Sequence, residues 1–186
     1  VCSGEVVVVN QNVTVDFNTV VPTYSGDADL QPYFTFEKSG TEPSNWKAIF
    51  DLDDKKLLIT NGATITVTTV PSTTTNRSAP GIEIFACELE IENGGKILVS
   101  SQNRDAGNIT IDITRNITMN GEIRNEVSGT NGLPGKITLA STCGDVVTGP
   151  NSLIALEGID PGGNDISILN CCDGDITLNG LVLSRA

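Results

Sequence analysis

The chain has 186 residues, enough for a single domain, with Lys+Arg 11 against Asp+Glu 23 and a net charge of −12. That balance argues against nucleic acid and anionic membrane surfaces as partners, and no apolar run approaches the roughly 20 residues of a membrane-spanning helix. There is no histidine, so Ser-His-Asp and Cys-His catalytic arrangements are excluded, and no phosphate loop or dinucleotide fingerprint is present.

Aromatic residues make up only 4% of the chain, while Val, Ile, Leu and Thr are plentiful, as a narrow β interior requires. From the N-terminus, Val7 and Val9 alternate as one short strand, and Val13, Val15 and Phe17 as the next. Residues 18–49 interrupt the pattern and hold Tyr24, Tyr33, Phe34, Phe36 and Trp46. From Phe50 onward a unit recurs. A first strand (Phe50-Asp51-Leu52, Ile82-Glu83-Ile84, Ile109-Thr110-Ile111, Ile137-Thr138-Leu139, Ile166-Ser167-Ile168) is followed by a second ending at a turn residue. That turn is Asn61-Gly62, Asn93-Gly94, Asn120-Gly121, Gly149-Pro150 and Asn179-Gly180, at intervals of 32, 27, 29 and 30 residues. A third strand follows: Ile65 and Val67, Ile97 and Val99, Ile123, Ile154 and Leu156, Val182. One such unit cannot bury its apolar face without the next stacked on it.

The expected fold is therefore all-β: a three-sided right-handed parallel β-helix over residues 1–186, one domain of about five coils with an insertion at 18–49. Excursions near residues 71–80, 100–106, 125–134 and 157–162 leave the same corner as that insertion, after a third strand and before a first, giving one loop-rich edge. The aromatic insertion is expected to cap the helix end or to meet another subunit; stacking on sugar rings is the alternative.

Five cysteines are present. Cys143 follows Ile137 by six residues and Cys172 follows Ile166 by six, so adjacent coils place them at one corner within disulfide reach; Cys171 is the alternative partner. Such a bond implies an oxidising, extracytoplasmic location. Cys2 and Cys171 precede second-side strands at opposite ends by five residues each, which suits a bond between stacked subunits. Cys87 is then a buried thiol; a Cys2–Cys87 bond within one chain is the competing assignment. Sequons stand at Asn12, Asn76, Asn108 and Asn116. Asn61, Asn93, Asn120 and Asn179 are expected to share a corner and form a ladder of stacked amides.

On the first side, outward positions are expected to read Asp51, Glu83, Thr110, Thr138, Ser167 in one column and Asp53, Phe85, Asp112, Ala140, Leu169 in the next. Clustered carboxylates suit Ca²⁺ binding or acid–base chemistry, but no Lys or Arg is expected in these columns and no EF-hand spacing is present, so a solvated acidic face is the expectation. The second side shows Leu58, Glu90, Thr118, Val147 and Thr177 outward, too irregular for the flat threonine rows of ice-binding solenoids.

The phrases Gly107-Asn108-Ile109-Thr110-Ile111 and Gly174-Asp175-Ile176-Thr177-Leu178-Asn179-Gly180 resemble coils of right-handed parallel β-helices in large bacterial secreted and surface proteins of the filamentous-haemagglutinin type. That resemblance, over about three quarters of the chain, implies a secreted or surface location and a structural or adhesive role, and it carries over no catalytic residue. The sequence begins Val1-Cys2 without a signal peptide, as a processed chain or a segment of a longer one would. The expected function is a non-enzymatic extracellular structural subunit, without cofactor, that stacks head to tail on itself. An adhesin or carbohydrate-binding module is the alternative, and a polysaccharide-acting enzyme the third reading.

Overall fold

A computed structural model describes residues 1–17, 22–69, 78–102, 104–159 and 164–185. Among these described residues, nineteen strands form three sheets of a β-solenoid of about four turns, close to the five expected. The first side stacks β5 (Lys47–Asp51), β8 (Gly81–Ala86), β11 (Ile109–Ile113), β14 (Ile137–Ser141) and β17 (Ile166–Asn170). The second stacks β1 (Val6–Val9), β6 (Lys56–Ile59), β9 (Glu88–Ile91), β12 (Ile117–Met119), β15 (Val146–Thr148) and β18 (Ile176–Leu178). The third stacks β2 (Val13–Asp16), β7 (Thr64–Thr68), β10 (Lys96–Gln102), β13 (Glu122–Ser128), β16 (Leu153–Glu157) and β19 (Leu181–Arg185). All these pairings are parallel. The period-two alternation is the cause: each strand sends every second side chain into one shared interior, where Ile59, Ile65, Ile84, Ile91, Ile97 and Ile111 are wholly buried.

The register agrees with the sequence on the second side, where Leu58, Glu90, Thr118, Val147 and Thr177 form one outward column, and on the third, where Ile65, Ile97, Ile123, Ile154 and Val182 are in line. On the first side it differs by two residues in one strand. Ala48, not Phe50, pairs with Ile82, and Phe50 pairs with Ile84. Ala48 is fully buried, but a lone small residue after Trp46-Lys47 carries little periodic signal. Leu52 also turns inward, past the end of β5, so the apolar run extends beyond the paired segment.

The insertion closes the N-terminal end. Strand β3 (Thr23–Ser25) pairs antiparallel with β2, and β4 (Phe34–Glu37) antiparallel with β5. Two 3₁₀ turns, Gln31–Tyr33 and Pro43–Asn45, link these pieces, and Leu30 is fully buried. Phe17 stacks on Phe36 at 5.6 Å and meets Trp46 edge-on at 4.7 Å; Tyr24 and Phe50 flank Phe34 at 5.2 and 5.5 Å. The aromatic residues thus form a satellite core that finishes the solenoid. On the last described coil the apolar residues are open, Leu181 being 61% exposed, Leu178 44% and Ile176 43%.

The Asn-Gly corner corrects the expected amide ladder. Between second and third sides the turn is four residues long at 60–63, 92–95 and 149–152, but two residues long at 120–121 and 179–180. In the long form, Gly62 and Gly94 adopt φ of 82° and 87°, where glycine is favoured. In the short form the backbone N–H of Asn120 donates to Ile91 O, the acceptor that Glu92 N has in Ile59 one coil earlier. Asn120 and Asn179 therefore stack with Thr60 and Glu92, one position away from Asn61 and Asn93. Among the described residues no hydrogen bond joins the four side-chain amides; the Asn61 backbone N–H donates to Glu92 Oε2 and that of Asn179 to Thr148 Oγ1.

Candidate functional surfaces

The two-residue shift in β5 rearranges the acidic face. One column reads Ile49, Glu83, Thr110, Thr138, Ser167, and the next Asp51, Phe85, Asp112, Ala140, Leu169. Phe85 separates Asp51 from Asp112. Asp53 lies beyond the strand, with φ 53°, its N–H bonded to Asp51 Oδ1 at 3.1 Å. A base does reach this face, contrary to expectation: Lys47 Nζ is 2.6 Å from Glu83 Oε1, and that bond raises the Lys47 pKa. Among the described residues, no three carboxylates or thiols converge as metal ligands would.

The densest charge cluster is on the third side, which sequence reading passed over. Glu157 bonds both Arg124 and Arg185, the latter at 2.6 Å. Arg124 also lies 3.6 Å from Glu122, which bonds Lys96 at 3.1 Å. Burial pushes the Glu157 carboxyl up, but the hydrogen bonds and charges of the two arginines outweigh it and hold it below its ordinary value. Burial likewise works against the charge on Arg124, yet Glu157, Glu126 and Glu122 leave it more firmly protonated than usual. Apart from Arg124–Glu122, which lies within β13, these pairs link adjacent coils, as do Lys56–Glu90 at 2.5 Å and Lys136–Asp165, just before β14 and β17, at 3.6 Å. They act as cross-coil ties rather than as a patch of free cations.

The corner between first and second sides carries sulfur. Cys143 and Cys172 stack as predicted, with exposed thiols and Sγ atoms 2.6 Å apart. The contact with Cys143 raises the Cys172 thiol pKa. Cys171 lies one position away, its N–H bonded to Ser141 O, with an exposed thiol. Cys2 corrects two expectations. It is bonded to Cys87 within the chain, Cα atoms 5.7 Å apart, because residues before β1 fold back along Asp54. Cys2 is therefore not free to meet Cys171 of another subunit, and Cys87 is not a free thiol.

No protein family, curated protein or solved structure was found to match this chain. Kinship with filamentous-haemagglutinin proteins is accordingly not shown, and the likeness stops at the coil pattern.

On the loop-rich edge, two neighbouring clefts of about 220 Å³ each share Ser44, Asn45 and Asn108. Trp46, Lys47, Glu83 and Thr110 complete one, and Asp105, Pro134 and Asn164 line the other. A third, of about 360 Å³, adjoins them at Asp105 and adds Glu42, Arg104 and Asn131. Trp46 does not stand free as a sugar platform: its ring packs on Phe17 and Phe36, Lys38 Nζ lies 5.1 Å from its centroid, and its Nε1–H donates to Gly40 O. Of the sequons, Asn12, Asn108 and Asn116 are exposed at corners; Asn76 lies outside the described residues.

Proposed function

We propose that the protein is a non-enzymatic, extracellular structural solenoid whose self-association runs through its C-terminal end. The observation that carries this is the inequality of the two ends. At the N-terminal end the antiparallel strands β3 and β4 and a partly buried aromatic cluster pack over the apolar interior, while β1 keeps an unpaired outer edge. Among the described residues the last coil, β17 to β19, pairs on one edge only and exposes Ile176, Leu178 and Val182. Unpaired, apolar edges are templates for further strands. A head-to-tail contact would set these apolar side chains on an end whose interior Leu30 and the aromatic cluster already fill. Two C-terminal ends set against each other match apolar surface with apolar surface, an isologous contact that closes. We therefore favour an end-to-end pair over the head-to-tail fibre expected from the sequence. The exposed Cys143–Cys172 pair, read as a second disulfide beside Cys2–Cys87, supports an oxidising location.

Sedimentation velocity of the full chain over a wide concentration range tests this, with Leu178→Lys as control. Wild type is expected to form dimers that the variant cannot, both melting alike. Monomers at every concentration overturn the self-association, and open filaments overturn its end-to-end geometry.

A further inference from the structure

Three sequons share one geometry that function so far leaves unused. In Asn12-Val13-Thr14, Asn108-Ile109-Thr110 and Asn116-Ile117-Thr118, the asparagine is the last residue before a strand. The middle residue is wholly buried, and the threonine lies on the outer face. Because the three strands belong to three different sides, the three asparagines mark three different corners.

Each side-chain amide is held the same way. Oδ1 accepts the backbone N–H one coil on: Asn12 from Thr64 at 3.1 Å, Asn108 from Lys136 at 2.9 Å, Asn116 from Asp145 at 3.0 Å. The Nδ2 side makes no hydrogen bond among the described residues. The bridging itself does not require an amide, since Asp105 holds Leu133 N and Asp145 holds Asp175 N at 2.9 Å in the same manner. What asparagine adds at the three corners is a nitrogen, with a threonine hydroxyl two residues on.

We infer that Asn12, Asn108 and Asn116 are acceptors for N-linked glycans. Transfer joins the anomeric carbon of a lipid-pyrophosphate-linked sugar to Nδ2 and breaks its bond to the pyrophosphate oxygen. The lipid pyrophosphate leaves, and Nδ2 gives up one proton. Oδ1 keeps its lone pairs, so the cross-coil bond survives the modification. At Asn108 the first sugar has a cleft of about 220 Å³ beside Asn45, Lys47 and Thr110. Glycans at the corners leave the flat sides clear, and the inference does not depend on the end-to-end contact.

The test is glycopeptide mass spectrometry of the full chain secreted through a eukaryotic pathway, beside Thr14→Ala, Thr110→Ala and Thr118→Ala. These variants keep the asparagine and its cross-coil bond. Sugar is expected on all three asparagines, each lost in its own variant. Trimming with an endoglycosidase should leave the melting temperature within a degree or two. Bare asparagines at all three positions in secreted protein overturn the inference, as does sugar found only on chains that misfold.

Discussion

Asn125 is a polar residue in an apolar position. It faces inward on β13 between Val99 and Leu156 and is fully buried. Its Nδ2 donates to Gly107 O at 2.7 Å and its Oδ1 accepts from Gly135 N at 3.0 Å, so one side chain holds the strand entries of two coils. Asn125→Leu leaves both backbone groups unpaired, and at about 1–3 kcal/mol for each such group the loss should reach roughly 2–6 kcal/mol in chemical unfolding. In the sequence Asn125 reads as the start of a loop, because a lone asparagine breaks the alternation that marks a strand. Glu157 gives a prediction about pH. Its pKa is lowered in the folded state from an ordinary 4.5, so its contribution is present above that value and lost as pH falls through the lower folded one. Wild type should therefore lose stability on acidification below about pH 4.5 more steeply than Glu157→Gln; equal slopes would count against the arginine clamp.

At the scale of elements, the strands were legible and the corners were not. Alternation is a local property, so Ile82-Glu83-Ile84 or Ile97-Leu98-Val99 announces its strand and its inward face. A corner depends on how many residues the backbone spends between strands, and Asn-Gly does not reveal this. It fills half of a four-residue turn at Asn61-Gly62 and the whole of a two-residue turn at Asn120-Gly121. The same ambiguity hid the β5 register and hence the true acidic columns. The Cys143–Cys172 stacking was legible, because both cysteines are counted from strands of known register, whereas Cys2 lies outside any repeat. If the two corner thiols are oxidised, alkylation of unreduced, denatured protein should label Cys171 alone. Cys143→Ser with Cys172→Ser should then cost about 3–4 kcal/mol, the loop entropy for a separation of 29 residues. Labelling of three cysteines would show that the pair is reduced.

At the scale of the molecule, every coil contacts chiefly its neighbours, so a break in one severs the stack. Ile91 is wholly buried in a middle coil. Ile91→Asp places a charge there without a partner, at a cost of several kcal/mol, and should abolish the cooperative thermal transition. An unchanged melting curve would contradict the inward register of β9. The unequal ends have a consequence in time. Strand pairs are lost first where the apolar interior lies open, and among the described residues that is the last coil, where Ile176 and Leu181 are exposed, whereas the aromatic insertion packs over the first. Assembly should therefore proceed as a crystal grows on a single facet: the aromatic N-terminal seal forms a seed, and coils are laid down in the order in which the chain emerges. Unravelling should run in the opposite direction, and hydrogen exchange resolved by residue should show a slope of protection, lowest in β17 to β19 and rising toward the cap.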